Sequence, residues 1–426
     1  MNEINSPKGL RQFLTGTGLY AGSSFLIGLG KFFLAPIYAR FLSPAQYGIV
    51  GTVNAVTGLV SIFLLMGLHA AVVREYYELK DDADNLQRYL KSILIFMAVL
   101  DGAIICVLFL AGPLTVKWMF HNDDLKFFPY IAIGLTSGCA ASFLGVFLSL
   151  MQAKQHAHIY VAAQICRFVL LVGVTLVLLE FVRMKAIGVL LGDLVSTLAV
   201  SLGLAWLSFK PGSALSQVAE TTSQPATLKT LLGPSFEKEK VRAALSYGAP
   251  LIPQDLAQWI TAVSDRLIMA RYQPIAEVGI YSLGCSLAMG MNMLVSAINS
   301  AYMPFYFNTI KNDPEARSMF SAIRERYAVG ISFVCLCFIL FAKEGLQLLV
   351  PRQYNDIFPI TFVITIANMF LGLYLTVAPP LYYFKKTKRI AQIAIIAAAS
   401  NIGLNLFIVP KYGAIHNALD PQCRRL

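Results

Sequence analysis

An all-α integral membrane protein, built as a two-lobed bundle of about eleven transmembrane helices, is the fold class this sequence predicts. Three observations predict it. Hydrophobic residues make up 57% of the 426 and charged residues 13%, about half the charged share of a soluble domain, so lipid must solvate most of the surface. The apolar residues fall in runs, each near the roughly 20 residues that carry a helix across a bilayer core about 30 Å thick. The two halves also repeat one another. Ala39-Arg40-Phe41, Ala45-Gln46 and Gly48 return as Ala270-Arg271-Tyr272, Ala276-Glu277 and Gly279, at a constant shift of 231 (271 minus 40). A parallel internal repeat of helix bundles is a transporter plan, with the site expected where the halves meet.

Charged residues bound the spans in order. The first, Phe13–Pro36, opens after a polar start carrying Lys8 and Arg11 and closes before Arg40. The second, Tyr47–Leu68, runs on to Arg74 and Lys80, and the third, Leu90–Leu114, lies between Arg88 and Lys117. The fourth, Phe127–Met151, is framed by Lys126 and Lys154; the fifth, Ile159–Phe181, ends before Arg183 and Lys185; the sixth, Ala186–Phe209, stops at Lys210. In the second half come Ala243–Ala270, Val278–Pro304, Tyr327–Val350, Ile357–Phe384 and Ile390–Val409, set off by Arg242, Arg271, Lys311, Arg326, Arg352 and the run Lys385 to Arg389. With the amino terminus in the cytoplasm, Arg74 to Lys91, Lys154, Lys210 to Arg242, Lys311 to Arg326 and Lys385 to Arg389 all fall inside, as the positive-inside rule requires. The expected organisation is an N-lobe of six spans (1–210), a cytoplasmic linker (211–242) rich in Ser, Thr, Gln and Pro-Gly, a C-lobe of five spans (243–413) and a divergent tail (414–426).

Topology accounts for most of the net charge of +11. The basic loops also carry Glu75, Glu78, Asp81, Asp82 and Asp84 and form no continuous aromatic-basic surface, so a nucleic-acid partner is not expected. Cys106, Cys139, Cys166, Cys285, Cys335 and Cys337 sit inside apolar spans, where cysteine acts as a small hydrophobe. His156 and His158 stand two apart and cannot face one site. There is no P-loop and no cluster of nucleophile, base and metal ligands. No cofactor, no metal and no enzymatic activity are expected.

Ionisable residues at depth are the candidate functional residues, because a charge facing lipid at mid-bilayer costs roughly 2.5 to 3.5 kcal/mol on insertion scales. Lys31, Arg167 and Arg266 are the cations. Lys31 maps onto Ala262, one helical turn from Arg266 on the same face, so each half presents a cation to an equivalent surface. Lys31 and Arg266 lie close enough to helix ends to snorkel instead; Arg167 does not. A cavity lined by fixed cations would take an anion, most naturally a phosphate or pyrophosphate. Asp101, Asp193 and Asp265 are candidates for ion coupling, with a structural ion pair as the other reading, strongest for Asp265 beside Arg266. Gly22, Gly28 and Gly30 in the first span and Pro250 and Pro253 in the seventh loosen the two corresponding helices, as gating would require; close helix packing would explain the glycines equally.

Several segments then carry a resemblance. Phe41-Leu42-Ser43-Pro44-Ala45-Gln46-Tyr47-Gly48 resembles the motif after the first span of the polysaccharide-export flippases of the MOP superfamily. Ser246 to Pro253, Ser264-Asp265-Arg266-Leu267 and Val278 to Ser282 look like that family's seventh helix and its turn into the eighth. Asn401 to Leu406, followed by Val409-Pro410-Lys411-Tyr412-Gly413, is similar to its eleventh helix. The resemblance runs from about Leu10 to Gly413. It implies a bundle in the bacterial inner membrane that flips a polyprenyl-pyrophosphate-linked oligosaccharide for O-antigen, capsule or exopolysaccharide by alternating access. It also implies membrane lipids, a polysaccharide polymerase and a chain-length regulator as partners. Only the Asp265-Arg266 step matches a recognisable family position. Past Gly413 the sequence departs from the family and the second half is one span short of the first, which leads us to expect a missing terminal helix, through truncation, frameshift or loss. Two other functions stand beside the flippase: a MATE-type cation-coupled drug exporter, which would need an acidic cavity, and a non-transporting scaffold of polysaccharide synthesis.

Overall fold

The computed structural model describes residues 7–79, 82–120, 124–209, 236–312, 316–354, 357–383 and 387–413. Most of the expected linker and the tail 414–426 lie outside them. Apart from short turns, the described elements are helices: α1 (Pro7–Phe41), α2 (Pro44–Leu65), α3 (Leu68–Leu79), α4 (Ala83–Met119), α5 (Ala132–Ala153), α6 (Ala157–Glu180), α7 (Lys185–Phe209), α8 (Lys238–Gly248), α9 (Ile252–Tyr272), α10 (Ile275–Asn312), α11 (Ala316–Leu349), α12 (Ile357–Tyr383) and α13 (Thr387–Tyr412). Among the described residues, ten segments are long and apolar enough to cross a membrane, α2 and α3 forming one of them. The chain is a multi-pass membrane protein.

Eleven spans were expected, and the seventh is the one that differs. Instead of one helix over Ala243–Ala270, α8 ends at Gly248, a 3-10 turn takes Ala249–Leu251, and α9 begins at Ile252. Pro250 lies in that turn and Pro253 in the first turn of α9, where a missing N–H costs little because the helix has no acceptor for it there. With 21 residues α9 is long enough to span, at about 1.5 Å per residue. It is not apolar enough, because Gln254, Asp255, Gln258, Asp265 and Arg266 interrupt it.

The motif at Leu42 to Gly48 is a helix start. Ser43 Oγ accepts from the Gln46 N–H (3.4 Å) while Gln46 Oε1 accepts from the Ser43 N–H (3.2 Å), a reciprocal capping box with Pro44 as the first helical residue. The carbonyls that end α1 are satisfied from the second half of the chain. Gln353 Nε2 donates to Ala39 O (3.3 Å) and Leu42 O (3.0 Å), and the Tyr354 hydroxyl donates to Leu42 O (3.0 Å).

Contacts group the chain into two compact units. One takes the chain up to Ser23, Val53–Met119 and Leu125–Trp259; the other takes Ser24–Thr52, Phe120–Asp124 and the chain from Ile260 on. Each unit draws on both sequence halves. In the second unit α2 and α10 cross at their first turns. A Cβ on Gly48 would lie 1.9 Å from Ile275 O, and one on Gly279 would lie 1.8 Å from Pro44 O. Gly48 and Gly279, like Pro44 and Ile275, are partners under the 231 shift, so the contact is reciprocal. In the first unit the break between α2 and α3, with Met66 at φ 44° and Gly67 at φ 68°, meets the end of α8. A Cβ on Gly67 would lie 2.4 Å from Gly248 O, and one on Gly248 would lie 2.5 Å from Met66 O. Both places admit only glycine, the former for space and Gly67 for its backbone as well. Leu68, Val72, Tyr89, Ile93, Val146 and Leu150 bury Val241 and Ala244 of α8 in one core, so the segment following the linker is docked rather than extended.

Candidate functional site

The ionisable residues at depth form separate clusters in the two units. In the first, Arg167 of α6 reaches across to α7: Nη2 donates to Asp193 Oδ1 (3.1 Å) and Nε to Thr197 Oγ1 (3.1 Å). Asp193 Oδ2 accepts from Ser137 Oγ of α5 at 2.5 Å. Three helices are thereby tied at one level by charge-assisted bonds, which are the stronger kind. Close packing makes the reach possible, since a Cβ on Gly192 would lie 2.0 Å from Thr175 Oγ1. The pair is about one-third exposed, with 30% of the Arg167 and 37% of the Asp193 side chain accessible. The guanidinium has five N–H donors, of which these bonds use two.

Asp101 of α4 is fully buried. Its Oδ2 accepts from Ser142 Oγ of α5 (2.6 Å), with Cys139 Sγ at 3.8 Å, while Oδ1 has no hydrogen-bond partner. Among the described residues it stands in no ion pair. A buried carboxyl with one oxygen unmatched is costly and calls for a role.

In the second unit Asp265 and Arg266 pair with each other at 3.6 Å, with only 18% and 16% of their side chains exposed. Arg266 Nη1 also donates to Ala262 O (3.1 Å), and the Tyr281 hydroxyl donates to Asp265 Oδ2. Immediately before Asp265, the buried Ser264 places its Oγ 3.4 Å from Asn401 Oδ1 of α13, which also accepts from Asn405 Nδ2 (3.1 Å). The segments singled out in sequence, Ser264 to Leu267, Val278 to Ser282 and Asn401 to Leu406, thus meet in one polar cluster. Gln273 and Glu277 receive the end of α13: Gln273 Nε2 donates to Val409 O (2.8 Å), and a Cβ on Gly413 would lie 3.1 Å from both side chains.

Lys31 lies exposed on α1. Gly22 is exposed with no atom near its Cβ position, Gly28 packs on the Met293 side chain (3.0 Å), and Gly30 is half-buried in the same unbroken helix. Ser137 and Thr197 complete the first cluster but carry no charge, and nothing in their local sequence marks them, whereas Tyr281 and Asn401 lie in segments that the sequence singled out. At the turn between α5 and α6, outside the spans, burial lowers the pKa of Lys154, and burial followed by the charges of Lys154 and His158 lowers that of His156.

A family model described as "Polysaccharide biosynthesis protein" matches residues 13–309. Protein 1 of the Lsg locus of Haemophilus influenzae is 22% identical over 378 residues, covering 87% of this chain and 84% of its own length. An uncharacterized membrane protein of the same organism is 22% identical over 383 residues, with the same shares covered. Among solved structures, the lipid II flippase MurJ in an inward closed conformation has a TM-score of 0.69 at 13% identity, covering 94% of this chain and 83% of that one. An inward-facing multidrug resistance MATE family transporter of the MOP superfamily has a TM-score of 0.61 at 15% identity, covering 94% and 88%. At such identities these likenesses establish the fold alone, the one these two transporters have. The family match spans well over half of the sequence, and this chain belongs to the polysaccharide biosynthesis protein family.

Proposed function

We propose that the protein is a flippase in the bacterial inner membrane, with its amino terminus in the cytoplasm, that moves a polyprenyl-pyrophosphate-linked oligosaccharide to the outer leaflet for O-antigen, capsule or exopolysaccharide synthesis. The observation that carries this reading is membership of a polysaccharide biosynthesis family by a chain whose fold is that of solved transporters. Lys31, Arg167 and Arg266 are the cations offered to the pyrophosphate: Lys31 from an exposed position, Arg167 through its uncommitted donors, Arg266 from within its pair with Asp265. Asp193 and Asp265 are committed to arginines, which leaves Asp101 as the acid best placed to take up a coupling ion. A polymerase and a chain-length regulator are its proposed partners.

The test is complementation. A strain that lacks its own flippase and accumulates lipid-linked repeat units on the cytoplasmic side should export glycan again when this chain is expressed. Unchanged glycan export together with a gain in cationic dye efflux would replace the flippase with a drug exporter.

A further inference from the structure

Near the middle of the Asn85–Met119 span, the Ser142 hydroxyl has one hydrogen and two acceptors within reach. Cys139 O lies 2.8 Å from Ser142 Oγ, and Asp101 Oδ2 lies 2.6 Å from it. A single hydroxyl hydrogen serves only one of them well. With Asp101 ionised, that hydrogen goes to Oδ2, and the whole carboxylate then rests on this bond and on a thiol at 3.8 Å, with Oδ1 unmatched. A carboxylate buried as fully as Asp101 needs a cation or several donors to hold its charge, and among the described residues no cation pairs with it. With Asp101 protonated, Oδ2–H donates to Ser142 Oγ and the hydroxyl donates to Cys139 O. Both short contacts become hydrogen bonds, and no charge is buried. Oδ1 is then the carbonyl oxygen of a neutral acid, which costs far less in an apolar setting than half of a carboxylate.

The elements packed on α4 do not reverse this. Helix α5, which supplies Ser142, has Cys139 as its one titratable side chain. Helices α3 and α8 meet α4 at Tyr89, Ile93 and Met97, and their charged groups gather at its first two turns: Arg74 and Glu75 act on Tyr89, and Lys240 bonds to Asn85. Tyr89 is about 18 Å from Asp101 along the helix, at 1.5 Å per residue. His69 of α3 acts with Asp255 instead. The turn Phe127–Ile131, with Lys126 and Tyr130, meets α4 at Phe109, about 12 Å beyond Asp101. Ser142 and Cys139 are the side chains that act on Asp101. A metal cation fits the place poorly. Hard cations are held by shells of about six oxygens, whereas the oxygens that meet here are the Asp101 carboxyl pair, Ser142 Oγ and Cys139 O, and beside them stands a thiol, a soft group that such ions avoid.

We propose that Asp101 is a proton site, occupied in this conformation by a neutral acid that donates to Ser142, and that this proton is the ion exchanged during transport. On release, Oδ2–H passes its proton to water and the Ser142 hydroxyl turns from Cys139 O to Oδ2, while Cys139 O keeps the N–H of its own helix. Because Asp101 is fully buried, release requires α4 and α5 to part, which ties the proton to a change of conformation in this unit. The exchange during transport rests on the flippase reading above; the protonated acid does not.

The test has two parts, both on the full chain. Infrared difference spectra in lipid nanodiscs near neutral pH should show the carbonyl stretch of a protonated carboxylic acid that moves in heavy water and is missing from Asp101→Asn. Ser142→Ala should keep the band and move it to higher frequency, since the acid loses the acceptor of its O–H. A parent spectrum without the band, or a band that Ser142→Ala leaves in place, would overturn the proposal. In proteoliposomes with the membrane potential clamped, a gradient of about one pH unit should shift the distribution of a polyprenyl-pyrophosphate-linked disaccharide between the leaflets about tenfold for one proton exchanged per glycan. Asp101→Asn should abolish that shift, and a sodium gradient of the same ratio should produce none. A shift driven by sodium alone, or a proton-driven shift retained by Asp101→Asn, would overturn the proposal while leaving the flippase reading intact. A parent chain that keeps the acid band but moves no glycan under any gradient would remove the flippase reading, so the two failures are told apart.

Discussion

Arg167 and Asp193 were both visible in the sequence as charges at depth, but one was marked for substrate and the other for ion coupling. They are 26 residues apart, and it is the tight turn between α6 and α7, with Arg183 and Lys185 at positive φ, that sets the two helices in register to meet. No periodicity within either helix encodes that register. Because the pair is about one-third exposed, Arg167→Ala should cost about 1–2 kcal/mol of stability, less than the loss of one partner from a fully buried pair. The double change Arg167→Gln with Asp193→Asn should recover most of it, measured as thermal midpoint in detergent. If the double variant is as unstable as the single one, the ion pair is not what Arg167 contributes to folding. For Asp101, whose unmatched oxygen was equally invisible in sequence, Asp101→Asn should preserve protein level and thermal midpoint while abolishing the dependence of glycan export on the ion gradient. Export that still responds to the gradient would return Asp101 to a structural role.

At the level of elements, helix starts and ends were the most legible feature. The Ser43-Pro44-Ala45-Gln46 step is a capping box whose chemistry is complete within four residues, so it needs no tertiary context. The seventh span was not legible, because proline at 250 and 253 is compatible both with a loosened helix and with the actual break at Ala249–Leu251. The choice depends on the core that docks α8 on α3, α4 and α5. The turn between α5 and α6 makes a separate prediction. Burial, and then the charges of Lys154 and His158, hold the folded pKa of His156 below the ordinary histidine value of about 6.5, so in that range the folded state binds fewer protons than the unfolded one. Stability should then fall as pH drops from 7 through about 6.5, and His156→Gln should flatten that slope in denaturation scans. A slope unchanged by the substitution would assign the pH dependence to other groups.

For the whole molecule, the constant shift of 231 residues announced two related halves but not how they share the work of folding. Similarity between Gly48 and Gly279 reads in sequence as two equivalent turns, and only the structure has them touch. Nothing in either local sequence says that a residue's nearest neighbour is its own counterpart. Alanine at Gly48 or at Gly279 should be severely destabilising, because each new methyl meets a backbone carbonyl at 1.9 Å or 1.8 Å and a carbonyl cannot rotate away as a side chain can. Both variants should lose several kcal/mol, seen as loss of folded protein by size exclusion. The double variant should not rescue either, since the two methyls strike different oxygens. Survival of a single variant at the parent's thermal midpoint would mean that the crossing can slide.

That crossing has a consequence for chain connectivity. A contact in which each half presents the same residue to the other has the symmetry of a homodimer interface, in which two copies of one surface patch recognise each other. Residues 24–52 belong to the same compact unit as the chain from Ile260 on, and residues from 236 to 259 belong with the first half, so each half lends a segment to the other much as swapped protomers do. The covalent link is then not what holds them together. If the chain is divided between residues 210 and 235 and the two pieces are expressed in one cell, they should assemble into a heterodimer that co-purifies and behaves as the intact protein does. Alanine at Gly279 in the second piece alone should dissolve the partnership.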